Sequence, residues 1–523
     1  MTDIVAREPR AGGNAAVDEL GLRYSGLARW LLFATAVGAI MAGVAIRLAR
    51  LGEKVLSFDE AYTLATAQRS FVGMLETFRF EANGTLYAVL LWPLLRLSES
   101  EEMIRALAVI AGIATIAAVY WTGRALVDRR AALVAACLVA LSPALIGWSV
   151  YGRAYAFAIL FAVLSFGCLA RSLGTGARTE RWRLLYVLST LAMTYSSVLA
   201  AVTLLPIQAV VVGRHARKTQ ALRTWARASL ALVAGLVPLG VLLYVESTYR
   251  DPLAWLWKPD LALVRRVGGE LAAGPAFFGA AGPALAGVIV TTLVAIVVAG
   301  LFLSWRRRSR PSWQTAMLLG WALFPPILLF VASQVRPMFW GRYLGIVVPA
   351  LALLIAALLV RMPRILGIVY GVALGTLLLT ASSVTSSPFN DFRDAASWVE
   401  ARRDPGDPLV VYPVEQLPAL AYYAKTLRVA GDVPVEEWDD TPLPAGVHGY
   451  RRDYDWGDSP VGPPRDTQLS RLASETGSLL VLVYPNLASG IDTGRAGAGG
   501  CDVEWARFQG LSAVSFSACR AGD

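Results

Sequence analysis

Charge is scarce in this chain of 523 residues. Only 16% of the residues are charged, 56% are hydrophobic, and the mean hydropathy is +0.53. A soluble globular protein typically carries about 25% charged residues, so much of this chain needs a non-aqueous surrounding. The composition excludes an ordinary soluble protein and predicts a polytopic membrane protein.

Histidine and cysteine are also rare. The two histidines, His215 and His448, leave little material for a His-rich metal cage, a His-based triad or a His proton relay. The four cysteines form no CxxC pair, and two of them lie inside apolar runs. The other two, Cys501 and Cys519, lie in a polar segment, and they are candidates for a disulfide if that segment is extracytoplasmic.

Long apolar runs are abundant instead. A membrane-spanning helix needs about 17–25 apolar residues. A further run, 184–213, is too long for one helix and is interrupted by polar residues at 194–197, so we expect two short helices there. The nine runs of span length are 29–49, 104–123, 131–150, 154–173, 226–246, 281–304, 315–333, 343–360 and 365–385. The sequence therefore predicts an all-α membrane domain of about eleven spans.

Charge in the connecting loops predicts the orientation. Five loops hold 18 basic residues against two acids, Asp128 and Glu180, and the positive-inside rule makes these loops cytoplasmic. The apolar run Thr85–Leu95 is too short to cross, so we expect it on the membrane surface, or partly inserted, within an outer loop, 51–102. The N-terminus is then cytoplasmic and the C-terminus extracytoplasmic, in a multi-pass protein of the inner (plasma) membrane without a cleavable signal peptide.

The C-terminal segment has a different composition. Residues 386–523 hold 20 acidic and 12 basic residues, a net charge of −8, which leaves +18 for residues 1–385. Helical patterns at 392–402, 417–425 and 467–475 alternate with short apolar strands at 409–412 and 479–484. We expect a cytoplasmic tail (1–27), a transmembrane domain (28–385) and a small extracytoplasmic α/β domain (386–523). The aromatics of the last domain either bind a ligand or form its small core; they are Trp438, Tyr454 and Trp456.

Two adjacent carboxylates, Asp59 and Glu60, follow the first span closely. Charges near hydrocarbon are costly, about 2.5–3.5 kcal/mol each at the bilayer centre on insertion scales, so the pair is a candidate catalytic site. An alternative is that it begins an amphipathic helix, with Ser57 as the cap and both acids complementing the helix dipole.

Several cations lie at outer span ends, against the positive-inside rule. Arg153 either binds an anionic headgroup or anchors its helix at the interface. Arg336 and Arg342 lie beside a proline and three aromatics. Phosphate binding explains arginines at this outer position better than a role in setting the membrane topology does. Lys258, which follows Trp255 and Trp257 in another outer loop, is a weaker candidate of the same kind.

These motifs resemble the GT-C membrane glycosyltransferases, in particular relatives of the protein O-mannosyltransferases and of the lipid A aminoarabinose transferase. The likeness covers about 55–425 in the correct order, and the order is more specific than any single motif. The matching stretches are Asp59-Glu60, Asn83-Gly84-Thr85-Leu86-Tyr87, Leu141-Ser142-Pro143, Arg153-Ala154-Tyr155, Pro337-Met338-Phe339, Arg342-Tyr343 and Phe392-Arg393-Asp394-Ala395-Ala396.

The resemblance implies transfer of a sugar, with inversion, from a polyprenyl-phosphate donor to an extracytoplasmic glycan, lipid or protein in the cell envelope. Asp59 would then be the general base, tuned or positioned by Glu60. The residues expected to bind the donor phosphate are Arg153, Tyr155, Arg336, Arg342, Tyr343 and Lys258. Those expected in the loops that contact acceptor or donor are Asn83, Tyr87 and Tyr151.

The chain also departs from the family pattern. Asn83 stands where relatives have a histidine, two prolines are missing beside it, and Tyr151 lies near the place of an acid. We therefore expect no required cofactor, with arginines rather than a divalent metal neutralising the phosphate, and the sugar and acceptor stay open. A transporter or flippase for lipid-linked sugars fits the spans as well, although the charges cluster at span ends and no internal repeat is visible. A third alternative is an assembly protein that works through its C-terminal domain.

Overall fold

The computed structural model describes most of the membrane part and the central strands of the C-terminal segment. The described residues are 26–173, 178–219, 222–249, 251, 253, 256–274, 282–306, 312–384, 391–404, 407–412, 416–424, 427, 447–449, 469, 478–483, 502–508 and 511–517. The helices are α1 (Gly26–Ala49), α2 (Phe58–Gln68), α3 (Phe71–Thr77), α4 (Thr85–Leu95), α5 (Glu101–Leu126), α6 (Arg129–Leu141), α7 (Pro143–Ser149), α8 (Tyr155–Ser172), α9 (Arg178–Ser196), α10 (Val198–Thr219), α11 (Leu222–Tyr249), α12 (Leu261–Ala273), α13 (Gly282–Arg306), α14 (Trp313–Ala332), α15 (Gly341–Leu344), α16 (Val348–Arg361), α17 (Arg364–Ser383), α18 (Phe392–Glu400) and α19 (Leu417–Tyr423). The strands are β1 (Leu409–Tyr412), β2 (Val447–Gly449), β3 (Leu479–Val483), β4 (Asp502–Phe508) and β5 (Leu511–Ser517).

Long apolar helices dominate the described part. Nine segments there are long and apolar enough to cross a membrane, one of them formed by α15, a 3-10 turn and α16 together. The predicted break within 184–213 is confirmed, since α9 ends at Ser196 and α10 begins at Val198. The chain is an integral membrane protein of mostly helical fold, as expected. The total of eleven spans and their orientation stay predictions.

The predicted span 131–150 is not one straight helix. It is broken at Ser142 into α6 and α7, which meet at a bend of 61°. Pro143 causes the break, because its ring disfavours a helical Ser142 and removes one backbone donor. Ser142 accordingly has an extended backbone (φ −64°, ψ 117°), and its hydroxyl caps α7 by accepting from the Leu145 amide.

An arginine from the first span donates hydrogen bonds to the last carbonyl oxygens of α6, where the helix is broken. Arg47 is fully buried, and its guanidinium donates to the carbonyl oxygens of Ala140 (2.7 Å) and Val139 (3.3 Å) and to the Ser149 hydroxyl (3.1 Å). The last carbonyls of a helix have no partner within it, so a buried helix end needs such donors. Arg47 therefore joins α1, α6 and α7 at one point.

The C-terminal strands form one mixed sheet in the order β2-β1-β3-β5-β4. β1 pairs in parallel with β2 and β3, and β5 pairs antiparallel with β3 and β4. The predicted strands at β1 and β3 and the predicted helices at α18 and α19 are present. The β4–β5 hairpin was not predicted, and the predicted helix 467–475 lies outside the described residues except Leu469. The predicted aromatics and cysteines of this segment, Trp438, Tyr454, Trp456, Cys501 and Cys519, also lie outside them.

The sheet region packs against the outer loop rather than standing apart from it. Ala61 of α2 shares an apolar cluster with Phe392 of α18. The Tyr423 hydroxyl donates to a Glu101 carboxylate oxygen (2.6 Å) and accepts from the Leu56 amide (2.8 Å). These contacts hold both the segment that enters α2 and the start of α5.

Candidate active site

Helix α2 begins with a reciprocal cap. The Ser57 hydroxyl accepts from the Glu60 amide (3.3 Å), and the Glu60 carboxylate accepts from the Ser57 amide (2.9 Å). This capping box satisfies two backbone donors that a helix start leaves open. The helix start expected with Ser57 as the cap is therefore present, whereas the reciprocal bond to Glu60 was not expected.

Asp59 lies at the centre of a polar cluster. Its Oδ2 accepts from Arg342 Nη1 (2.7 Å) and from the Tyr151 hydroxyl (2.8 Å). Arg342 also donates to the Tyr155 hydroxyl (3.3 Å), and the Tyr151 and Tyr155 rings stack with centroids 6.0 Å apart. The structure thus brings together Asp59, Tyr151, Tyr155 and Arg342, four residues that the sequence singles out. The first and last are 283 positions apart in the chain.

The surroundings keep Asp59 ionised. Burial favours the neutral acid and would raise the pKa of its carboxyl. The charges of Arg342 and Arg153 and the hydrogen bonds from Tyr151 and Arg342 outweigh burial, so the pKa of Asp59 lies below its usual value. About a fifth of the Asp59 side chain is exposed, as is about a fifth of Arg342. The cluster is therefore a charged, partly open site.

Glu60 has different surroundings from Asp59, its neighbour. Its side chain is 2% exposed, and it accepts from Arg105 Nε (2.7 Å), Arg105 Nη2 (3.0 Å) and the Gly152 amide (2.8 Å) in addition to Ser57. Burial would raise the pKa of Glu60, but Arg105 and these hydrogen bonds hold it below its usual value. Hydrogen-bond donors contact both carboxylate oxygens of Glu60. Its contacts join α2, α5 and the loop before α8, which is the arrangement of a positioning residue.

Arg153 joins the cluster to a cavity. It donates to the Thr63 hydroxyl (3.0 Å) and to a Glu81 carboxylate oxygen (3.0 Å). Both partners line the cavity, as do Asn83 and Tyr87 of the predicted loop. The side-chain Oδ1 of Asn83 also accepts from the Val198 amide at the start of α10 (3.2 Å).

Three other predicted residues lie differently. Arg336 pairs with Asp251 (2.6 Å), and about half of each side chain is exposed. Lys258 is exposed. Tyr343 packs beside an apolar cluster that includes Phe339. The structure therefore does not bring Arg336 or Lys258 into hydrogen-bond contact with Asp59 among the described residues.

Three site residues were missed by the sequence argument. Arg105 lies inside a predicted span, and a charge there is by itself a signal of function. Glu81 comes two residues before Asn83 and carries no signal of its own. Glu270 of α12 is close enough to Gly341 that a Cβ at position 341 would overlap its carboxylate. Burial raises the pKa of Glu270, and the charges of Arg342 and Arg266 lower it less than burial raises it.

Two carboxylates of the cluster already have arginine partners. Asp59 and Glu81 each pair with an arginine. In the part of the chain that the structure describes, no three His, Cys, Asp or Glu side chains come together as metal ligands. A cation would have to compete with an arginine for each carboxylate.

Comparison with known proteins places the fold. The family model of dolichyl-phosphate-mannose-protein mannosyltransferases matches residues 83–244. This stretch includes Arg153 and Tyr155 but neither Asp59 nor Arg342. No curated protein matches the chain by sequence.

Solved structures resemble the chain over nearly its whole length. ArnT from Cupriavidus metallidurans in the apo state is 14% identical with a TM-score of 0.58, covering 94% of this chain and 98% of that one. The same protein bound to undecaprenyl phosphate has a TM-score of 0.56 at 14% identity, with 92% and 98% covered. The Archaeoglobus fulgidus oligosaccharyltransferase tethered with an acceptor peptide has a TM-score of 0.50 at 14% identity, with 93% and 74% covered. The resemblance that the sequence motifs carry is confirmed at the level of the fold.

Proposed function

We propose that this chain, whose fold is that of the GT-C membrane glycosyltransferases, transfers a sugar from a polyprenyl-phosphate donor to an acceptor outside the cytoplasm. The observation that carries the proposal is the cluster in which Asp59 faces Arg342, with Arg153 and two tyrosine hydroxyls beside it. A carboxylate base and phosphate-binding cations are the two parts that this reaction needs. The likeness to ArnT bound to undecaprenyl phosphate supports the same class of donor.

The arginines bind the phosphate of the donor. A phosphate diester carries a negative charge, and more charge develops on it as its bond to the sugar breaks. Arg342 and Arg153 offer planar guanidinium groups that match phosphate oxygens in pairs. We assign the neutralisation of this charge to these two arginines and not to a divalent metal ion.

Asp59 takes the proton of the acceptor. Both described hydrogen bonds to its carboxylate go to Oδ2, so Oδ1 has no partner among the described residues. In the reaction the acceptor hydroxyl attacks the anomeric carbon and gives its proton to Asp59. The bond from that carbon to the phosphate oxygen breaks, the electron pair leaves with the lipid phosphate, and the configuration inverts.

Donor binding strengthens the base. In the free enzyme Arg342 lowers the pKa of Asp59, which keeps the carboxylate ionised but weakly basic. A phosphate that binds Arg342 shares its charge, so the pKa of Asp59 rises towards its usual value. The base is therefore strongest when the donor is in place.

The test uses the purified full chain in liposomes with a labelled polyprenyl-phosphate sugar and a cell-envelope acceptor extract. Asp59→Asn should retain donor binding and lose about 10²–10⁴-fold in transfer rate, because that is the usual contribution of a general base. Arg342→Ala should weaken donor binding. Glu76→Gln, an exposed carboxylate on α3, is the matched control and should keep the wild-type rate.

Two results would contradict the proposal. Near wild-type transfer by Asp59→Asn removes this residue from the mechanism, and unchanged donor affinity in Arg342→Ala removes that arginine. Movement of the labelled lipid between leaflets without transfer would instead identify a flippase.

A further inference from the structure

Helix α12 packs over the segment that carries Arg342. Leu263 and Val267 of this helix share an apolar cluster with Phe339. Positions 263, 267 and 270 are spaced by four and three residues, so all three lie on the same face of the helix. This face therefore brings a carboxylate, that of Glu270, to the backbone just before Arg342.

The Glu270 carboxylate lies against the backbone of Gly341. A Cβ at position 341 would be 3.1 Å from Oε1 and would overlap Oε2, so this close approach requires a glycine. The next residue is Arg342, whose charge acts on Glu270, as does that of Arg266. Arg342 therefore interacts with two carboxylates, Asp59 through a hydrogen bond and Glu270 through its charge.

Little compensates the charge of Glu270. Burial raises the pKa of its carboxyl, and among the described residues only Arg342 and Arg266 lower it, without a hydrogen bond. Arg266 also lies over the Trp340 ring, 5.1 Å from its centroid. Helix α7 has no titratable residue, and those of the other helices packed against α12 are Arg342 and Tyr343 of α15, Arg306 at the end of α13, and Arg364 and Tyr370 in the first two turns of α17.

We propose that Glu270 limits how tightly Arg342 holds the phosphate of the lipid, so that the lipid phosphate leaves after transfer. The inference rests on the proposed function. The departing phosphate carries more negative charge than the diester donor, so arginines alone would hold the product more tightly than the substrate. An ionised Glu270 repels a phosphate at Arg342 and opposes this effect. Glu270 is then a positioning residue, because it acts through Arg342.

The test measures dissociation constants of farnesyl methyl phosphate for the full chain in nanodiscs at pH 8 and at pH 4.5. This diester carries one negative charge at both pH values. Glu270→Gln keeps the shape of the side chain and removes its charge. At pH 8 the variant should bind the diester about 5-fold or more tightly than wild type, as expected for like charges within about 10 Å in poorly hydrated surroundings. Loss of a merely structural contact would weaken binding instead.

The pH dependence identifies the carboxyl that acts. The pKa of Glu270 lies above its usual value of 4.5, so at pH 4.5 more than half of the wild-type chains carry a neutral Glu270. The wild-type affinity should therefore rise as the pH falls, and the two dissociation constants should then differ by about 2-fold or less. All other carboxyls are the same in both proteins and cancel in this comparison.

Asp260→Asn is the matched control. Asp260 caps α12 by accepting from the Leu263 amide (2.7 Å), and asparagine caps a helix equally well. This variant removes a negative charge from the same helix about 15 Å from Glu270, since ten residues rise about 1.5 Å each. It should leave both dissociation constants unchanged. Glu270→Asp, which keeps the charge, should bind the diester more weakly at pH 8 than Glu270→Gln does.

The outcomes separate this inference from the proposed function. Equal or weaker binding by Glu270→Gln at pH 8 overturns the inference, and so does a gain in affinity that is just as large at pH 4.5. Failure of the diester to bind either protein contradicts the proposed function itself.

Discussion

Glu60→Gln tests whether the buried carboxylate is a positioning residue. Glu60 and Arg105 are 2% and 1% exposed, so solvent screens their attraction little. Each carboxylate oxygen of Glu60 accepts two or more hydrogen bonds, and an amide nitrogen at either place would face donors. Breaking a buried ion pair by removing one partner typically costs about 3–5 kcal/mol.

The cost should appear as lost stability around α2. A loss of about 3 kcal/mol raises the population of an opened α2 more than about 100-fold. We would follow thermal unfolding of the detergent-purified chain by tryptophan fluorescence and α2 opening by amide hydrogen exchange. Asp59→Asn, in the more exposed pair, should change either signal much less. Glu76→Gln, on the surface of α3, should stay within about 0.5 kcal/mol of wild type.

A double variant measures the interaction between Glu60 and Arg105. Glu60→Gln combined with Arg105→Gln leaves two neutral amides, and it should be at least about 1 kcal/mol more stable than the sum of the single losses. A Glu60→Gln protein as stable as wild type, with wild-type exchange in α2, would refute the positioning argument. Strict additivity in the double variant would refute the pairing.

Three further expectations concern the same site. Because Arg342 holds the pKa of Asp59 down against burial, the base of the free enzyme loses its charge only when the pH falls through that lowered pKa; kcat/KM for the donor, which reports the free enzyme, should thus not fall between pH 7 and pH 5, and a decline centred near pH 6 would contradict this. Gly341→Ala places a methyl where the Glu270 carboxylate lies, so that side chain must move; we expect weaker donor binding because Arg342 is the next residue, and adding Glu270→Ala should restore the donor affinity if the overlap is the cause. Tyr423→Phe should speed hydrogen exchange at the Leu56 amide about 5-fold or more, since that amide loses its acceptor; exchange at the wild-type rate would show that the sheet region does not hold the entry to α2.

The sequence predicts local features of this chain well. The start of α2 with Ser57 as its cap was predicted, and strand β1 follows from four consecutive apolar residues. The bend at Ser142 was missed although Pro143 is visible, because an apolar run was counted by length alone.

Contacts between distant segments could not be predicted in the same way. Asp59 meets Arg342 across 283 positions, and Glu60 meets Arg105 across 45. Nothing in the local pattern says which arginine pairs with which acid, since that depends on how the helices pack. Arg336 has the same sequence signal as Arg342, yet it pairs with Asp251 at an exposed position. The role of such an arginine depends on its burial and on its partner, and the sequence composition gives neither.

The arginine that caps the broken helix also bears on how the protein is made. Arg47 emerges from the ribosome about 90 residues before Ala140, whose carbonyl it binds across 93 positions. Until α6 arrives, its guanidinium needs another partner, and its place near the end of α1 lets it reach the headgroup layer. Helix α1 can therefore enter the bilayer early, but it reaches its final position only after α6 has been synthesised. The final positions of α1 and α6 therefore depend on each other.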